Sequence, residues 1–214
     1  SNNYKGRPNK KQIISREDAY HGSTYLSASA SGKTRDKNLQ DTASDIVKFI
    51  SSPNPFYRPN GMSLDDFKRS NVKELEDKIL ELGPDNVAAF IAEPILASGG
   101  VSVPVPGYHR MCQEVCRKYD ILYISDEVVT GFGRLGHWFA SKEVFDIQPD
   151  IITCAKGLTS GYLPLGACIV SDRLIDEMDG KEAEGSIFSN GFTYSGHPVS
   201  CMAALKNIEI IERE

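Results

Sequence analysis

Apolar residues in this sequence gather in short unbroken runs that alternate with longer amphipathic stretches. QIISR (12–16), VAAFIA (87–92), ILYIS (121–125), IITC (151–154) and LGACIV (165–170) have the length of strands. A nearly continuous apolar run is what a buried, parallel-type strand requires. From Ser63 the spacing changes: Leu64, Phe67, Leu75, Ile79 and Leu82 recur at steps of three and four or their sums, until Gly83-Pro84 ends the pattern. That is a helix with its stop signal. A second helix is predicted from Tyr108 to Tyr119, with Met111, Cys112, Val115 and Cys116 facing inward. Ser171 and Asp172 open another through LIDEM. Pro198, suited to a first helical turn, opens the last, with Cys201, Leu205, Ile208 and Ile211 on one stripe. Residues 23–50 show no strong periodicity, 51–62 hold three prolines and a glycine and read as an irregular loop, and 180–192 are polar and glycine-rich. Strand and helix therefore alternate, as in an α/β fold built on a mostly parallel sheet flanked by helices.

The 214 residues, 40% hydrophobic and 25% charged, suffice for a sizeable core. A net charge of −5 opposes a nucleic-acid partner. No run approaches the roughly 18 apolar residues of a membrane span. Five cysteines, at 112, 116, 154, 168 and 201, are odd in number, and three lie in apolar or helical patterns. They favour reduced thiols and a cytoplasmic compartment. The opening SNNYKGRPNKKQ lacks a signal-peptide core, and the four histidines lack metal-ligand spacing.

Chemistry enters at two strand ends. Asp126 closes ILYIS and Lys156 follows IITCA, opposite charges at the carboxyl edge where open α/β sheets bind their ligands. A lysine desolvated there would be an amine fit for Schiff-base formation; the competing reading is a side chain snorkelling to solvent. A carboxylate beside it would keep a pyridine nitrogen protonated, unless it serves as a cap or ion-pair partner. Gly131–Gly136 matches GxGxxG, but Asp-Glu-Val-Val-Thr separates it from the apolar run and no acidic strand end follows at the expected distance. A glycine-rich structural loop is favoured over a nicotinamide site. Tyr20 and His21, in AYHG, stand just past the first strand, where a tyrosine would stack on a planar group or pack in a turn. Thr193 and Ser195, in FTYSGHP, precede the proline-started helix, a place for a phosphate or an ordinary cap.

Taken together, SDEVVTGFGRLG, PDIITCAKGLTSGYLPLGA and NGFTYSGHPVS, with AYHG and AFIAEP, resemble the class III (omega) aminotransferases of pyridoxal-phosphate fold type I, and within them the amine:pyruvate branch. The resemblance implies an enzyme using pyridoxal 5'-phosphate. Lys156 would form its Schiff base and shuttle the proton between substrate and cofactor carbons. Asp126 would hold the pyridinium, Val128 would press on one ring face, and Tyr20 would stack on the other with His21 beside it. Glu93 would lie near the cofactor and the substrate-binding arginines, and Arg134 would pair near the site entrance. Thr193 would reach the phosphate of a neighbouring subunit's cofactor, which implies a homodimer. The implied partners are an amine or amino acid as donor and a keto acid such as pyruvate as acceptor. Aminomutases and decarboxylases of the family use the same constellation. The resemblance also implies that residues 1–214 are the central part of the cofactor-binding large domain. The phosphate cup, the amino-terminal segment and the carboxyl-terminal small domain would lie outside it, and a chain of these residues alone would bind the cofactor poorly.

Overall fold

The apolar runs do pair into one sheet. The computed structural model describes residues 2–3, 5–178 and 191–213, so most of the polar stretch 180–192 lies outside the described residues. Its strands are β1 (Gln12–Arg16), β2 (Val47–Ile50), β3 (Val87–Ala92), β4 (Leu122–Asp126), β5 (Ile151–Cys154) and β6 (Ala167–Val170). They lie in the order β2-β1-β3-β4-β5-β6. The first five are parallel to their neighbours, and β6 closes the edge antiparallel to β5. The helices are α1 (Tyr25–Ala30), α2 (Leu64–Leu82), α3 (Tyr108–Lys118), α4 (Ala140–Glu143), α5 (Asp172–Met178) and α6 (Pro198–Arg213).

The core lies under α2 and α3. Ile14, Phe90 and Tyr123 are register partners across β1, β3 and β4, all essentially inaccessible, and the Phe90 and Tyr123 rings meet edge to face at 5.6 Å. Above this row α2 lays down Val72, Leu75 and Ile79, and α3 adds Tyr108, Cys112 and Cys116. Each such aliphatic side chain contributes about 1.5–3 kcal/mol on burial. Ser63 starts α2 by accepting a hydrogen bond at Oγ from the Asp66 amide, 3.0 Å, with Asp65 and Asp66 in the first turn favouring the positive end of the helix. On the opposite face, the row Ile91, Ile124, Ile151 is only half-buried.

One polar group crosses the core. The His109 ring on α3 accepts from the Tyr123 hydroxyl at Nδ1 (2.7 Å) and donates from Nε2 to the Pro94 carbonyl (2.9 Å). Its pKa is pushed down to about 3, first by burial and then by the nearby Arg16 charge, while the Pro94 carbonyl works the other way.

Several expectations need correction. β2 and α1 formed inside 23–50, where no periodicity announced them: four residues at a sheet edge and six in a helix are too few for a pattern to repeat. β6 starts at Ala167 rather than Leu165, and Ala167, Cys168 and Ile169 are exposed, because an edge strand has one side unpaired. β5 is mostly half-buried rather than buried. On α6 the packed stripe runs through Ser200 and Ala204, while Leu205 is exposed; α6 packs on the Lys156–Thr159 turn. Among the described residues no helix is long and apolar enough to cross a membrane.

Gly32 shows how tightly the carboxyl edge is built. A Cβ there would lie 2.0 Å from the Arg16 carbonyl oxygen and 2.8 Å from the Glu17 Cα. Gly32→Ala should therefore lower stability by about 1–3 kcal/mol or more, read as a shift in the urea midpoint; an unchanged midpoint would contradict this packing. His109 sets a pH dependence. Its folded pKa is depressed from 6.5, so its contribution is complete above that value and is lost as pH falls toward about 3. The acid limb of stability between these values should be shallower in His109→Gln than in the parent, measured by chemical denaturation across pH.

Candidate active site

The strands end where the chain must turn, and the turns at β1, β3 and β4 are tied together. β3 runs into Glu93, buried at 5% exposure. Its carboxylate accepts the Tyr20 amide at Oε1 (2.9 Å) and the Ala97 amide at Oε2 (3.0 Å). One charge thereby fixes two loops. The Tyr20 amide is held while its ring stays 43% exposed at the surface, its hydroxyl 3.0 Å from Ser23 Oγ.

His21 follows, its amide bonded to Ser31 Oγ at 2.9 Å. Its ring is buried, and Nδ1 lies 2.7 Å from Asp126 Oδ2. Asp126 ends β4 with a side chain 7% exposed. A carboxylate only accepts, so the Nδ1–H donates. The other oxygen, Oδ1, accepts the Val128 amide at 3.2 Å, and His21 Nε2 is buried without a partner. Tyr20, His21, Glu93, Asp126 and Val128 are thus brought into one connected group.

Lys156 stands one strand over. Asp126 and Thr153 are register partners on β4 and β5, and Lys156 begins a 3-10 turn, Lys156–Thr159, two residues past the end of β5. Its φ is +43°, a left-handed conformation that costs a non-glycine residue about 1–3 kcal/mol and is held only when the surroundings demand it. The surroundings are explicit. Asn207 on α6 donates from Nδ2 to the Gly157 and Leu158 carbonyls (2.8 and 3.2 Å) and accepts the Ser160 hydroxyl at Oδ1 (2.7 Å). Gly157 lies against the loop before it: a Cβ there would meet Phe132 Cβ at 3.1 Å and the Gly131 carbonyl at 3.2 Å. The Lys156 side chain is exposed, contrary to the desolvated lysine expected from its apolar approach. The turn buries Leu158 and Thr159 instead.

The GxGxxG segment is a clamped loop. Phe132 N–H donates to the Trp138 carbonyl and Gly133 N–H to that of His137 (2.7 and 3.0 Å). Its base is held by Glu127, wholly buried, which accepts the Ala140 and Ser141 amides (2.7 and 2.8 Å) and the Thr130 and Ser141 hydroxyls (2.8 and 2.5 Å). No long helix opens from it as a dinucleotide turn requires, since α4 has four residues. Arg134 is exposed and forms no ion pair among the described residues, because the clamped loop carries it outward. Thr193 sits in an exposed turn, five residues before α6 rather than at its cap, and no hydrogen bond among the described residues joins it to the Asp126 group. The residues missed from sequence were Glu127 and Asn207. The signal for Glu127 was a second acid directly after a strand-end aspartate. For Asn207 it was a polar residue three positions after Ala204, on the packed side of α6.

The sequence and the fold have counterparts in known proteins. The family model described as Aminotransferase class-III matches residues 1–214. Gamma aminobutyrate transaminase 1, mitochondrial, from Solanum lycopersicum is 45% identical over 98% of this chain and 41% of its own length. Putrescine–pyruvate aminotransferase from Pseudomonas aeruginosa is 44% identical over 98% of this chain and 45% of its own. The chain thus spans somewhat less than half the length of these curated relatives. The omega transaminase from Pseudomonas jessenii, solved in complex with PMP, superposes with a TM-score of 0.94 at 41% identity, over 99% of this chain and 47% of that one. A match over the full sequence, joined to the same fold at this identity, makes the chain a member of the class III aminotransferases.

Proposed function

We propose that this chain forms the central part of the cofactor-binding large domain of a transaminase, within a polypeptide of its relatives' length. It would move an amino group from an amine or amino acid to a keto acid such as pyruvate. Class III aminotransferases use pyridoxal 5'-phosphate, and the observation that carries the reading is the Asp126–His21 pair. Asp126 is nearly buried, bonded to a histidine on one oxygen and through a long bond to a main-chain amide on the other. No lysine or arginine of the described residues pairs with it. Such a carboxylate keeps acceptor capacity for a cationic N–H group, so the residues fit a pyridinium.

When bound, the pyridoxal group supplies an aldehyde carbon that takes up the amine and a protonated ring that withdraws electrons from the substrate Cα. Asp126 keeps that ring nitrogen protonated, and His21 fixes the carboxylate by occupying Oδ2. Tyr20 offers a partly exposed ring, its main chain anchored by Glu93, and Val128 bounds the opposite ring face. Lys156 would hold the group through Nζ and, as a free amine, would take the proton from the substrate Cα and deliver it to the cofactor carbon, the reverse transfer completing the second half-reaction. Lys156 stands at φ +43° in a turn whose carbonyls Asn207 holds. Glu93, whose carboxylate holds the Tyr20 and Ala97 amides, would lie near the cofactor and the substrate-binding arginines. Thr193, which no hydrogen bond among the described residues joins to the Asp126 group, is assigned to a phosphate bound by a second copy.

A homodimer is part of this proposal. Phe192, Tyr194, Val199, Met202 and Leu205 leave 58–81% of their surface exposed around the Thr193 turn and the start of α6, an apolar face suited to a second subunit. Five free cysteines support a reducing compartment such as the cytoplasm.

Borohydride treatment of the pyridoxal-phosphate-loaded protein should fix the label on Lys156 in a peptide map; label on another lysine would refute the assignment. Lys156→Ala should lower amine transfer by at least about 10²-fold while keeping measurable cofactor binding. Assays with a panel of amines and amino acids against pyruvate and 2-oxoglutarate would fix the substrates.

A further inference from the structure

Arg16 is wholly buried at the end of β1. A guanidinium keeps its charge in every such setting, and burying a charge without a carboxylate partner is costly. Yet Arg16 forms no ion pair among the described residues. Its Nε and Nη1 have no hydrogen-bond partner, and neither has the Tyr108 hydroxyl. An aliphatic side chain would fill the volume at lower cost. The one hydrogen bond its guanidinium makes therefore needs an account.

That bond runs from Nη2 to the Glu93 main-chain carbonyl, 2.7 Å. The next carbonyl, that of Pro94, is held by His109 Nε2 at 2.9 Å, and Pro94 has no amide hydrogen with which to anchor itself. Two buried donors, one from β1 and one from α3, thus pin successive carbonyls where β3 ends. The Glu93 side chain leaves the same pinned residue and carries the Tyr20 amide on Oε1. His21 comes next, bonded to Asp126. The backbone of Arg16 belongs to the same assembly: its carbonyl accepts the Ala19 amide (3.3 Å), and the Ala19 carbonyl accepts that of Gly32 (2.8 Å).

We infer that Arg16 is a positioning residue that fixes the Glu93 main chain and, through the Glu93 carboxylate, the Tyr20–His21 turn. Its consequence for cofactor binding rests on the function proposed above. The arrangement explains why a charged group is used. A guanidinium reaches the carbonyl in a geometry that its planar fork restricts, and a bond from a charged donor is stronger than a neutral one.

The test uses the full-length polypeptide that carries this chain. Arg16→Met, Arg16→Gln and Arg16→Lys are compared with the parent by amide hydrogen exchange of the cofactor-free protein and by titration with pyridoxal 5'-phosphate. In the Met and Gln variants the Tyr20 amide should exchange about tenfold faster, while core amides such as that of Phe90 keep the parent rate. Affinity for pyridoxal phosphate should fall by a similar factor, and Lys, which keeps the charged donor without the planar fork, should restore both in part. Unchanged Tyr20 exchange in a folded Met or Gln variant, or equal acceleration at Phe90, overturns the inference. So does loss of the fold in both variants, which would make Arg16 a residue of general stability. A parent protein that binds no pyridoxal phosphate refutes the proposed function, and the exchange data then decide on Arg16 alone.

Discussion

Three carboxyl groups are buried where β3 and β4 end, and none meets a lysine or arginine among the described residues. A buried charge is tolerated only when hydrogen-bond donors replace the water it has lost. The chain supplies them from its own loops. Glu93 takes two amides, Asp126 a histidine and an amide, and Glu127 two amides and two hydroxyls. Each acid therefore recruits a different segment: the Tyr20 turn, the Val128 turn, and the glycine-rich loop with the start of α4. The carboxyl edge of the sheet is shaped by these three charges, and the apolar core beneath only carries them.

This division of labour follows the asymmetry of the sheet. One face is sealed by α2 and α3, where Ile14, Phe90 and Tyr123 lie with almost no exposure. That side resists deformation as a close-packed interior does. The other face is half-covered, and β6 leaves three of its four residues exposed. Asp126 shares the half-covered face with Ile124 and is fixed there through His21, whereas Lys156 stands exposed on a strained turn. In the proposed reading, a fixed carboxylate and a mobile amine are served by such unequal surroundings.

The strands β1, β3, β4 and β5 were legible because each is an apolar run closed by a charge or a turn residue. α2 and α3 were legible because their apolar spacing repeats for three turns or more. β2, α1 and α4 were not. Four to six residues hold no full period, and their stability comes from neighbours distant in sequence. Within the candidate site, Asp126, His21, Tyr20 and Lys156 stood out by motif. The bonds that arrange them did not. The contact between Glu93 and the Tyr20 amide spans 73 residues, and no local pattern encodes it. The same blindness hid Arg16: a basic residue at a strand end reads as solvated, and only the fold shows it sealed beneath α3.

Asn207 has a consequence for the order in which the molecule matures. Its three bonds to the Lys156 turn cross 47 to 50 residues, whereas β4 and β5 are complete by Cys154. As a nascent chain emerges from the ribosome, the sheet can assemble with Lys156 already present but its turn unlatched. Only after α6 has followed does the strained φ acquire the bonds that retain it. Lys156 is thus displayed early and its turn latched late, so a molecule halted before residue 207 would own the residue without its posture.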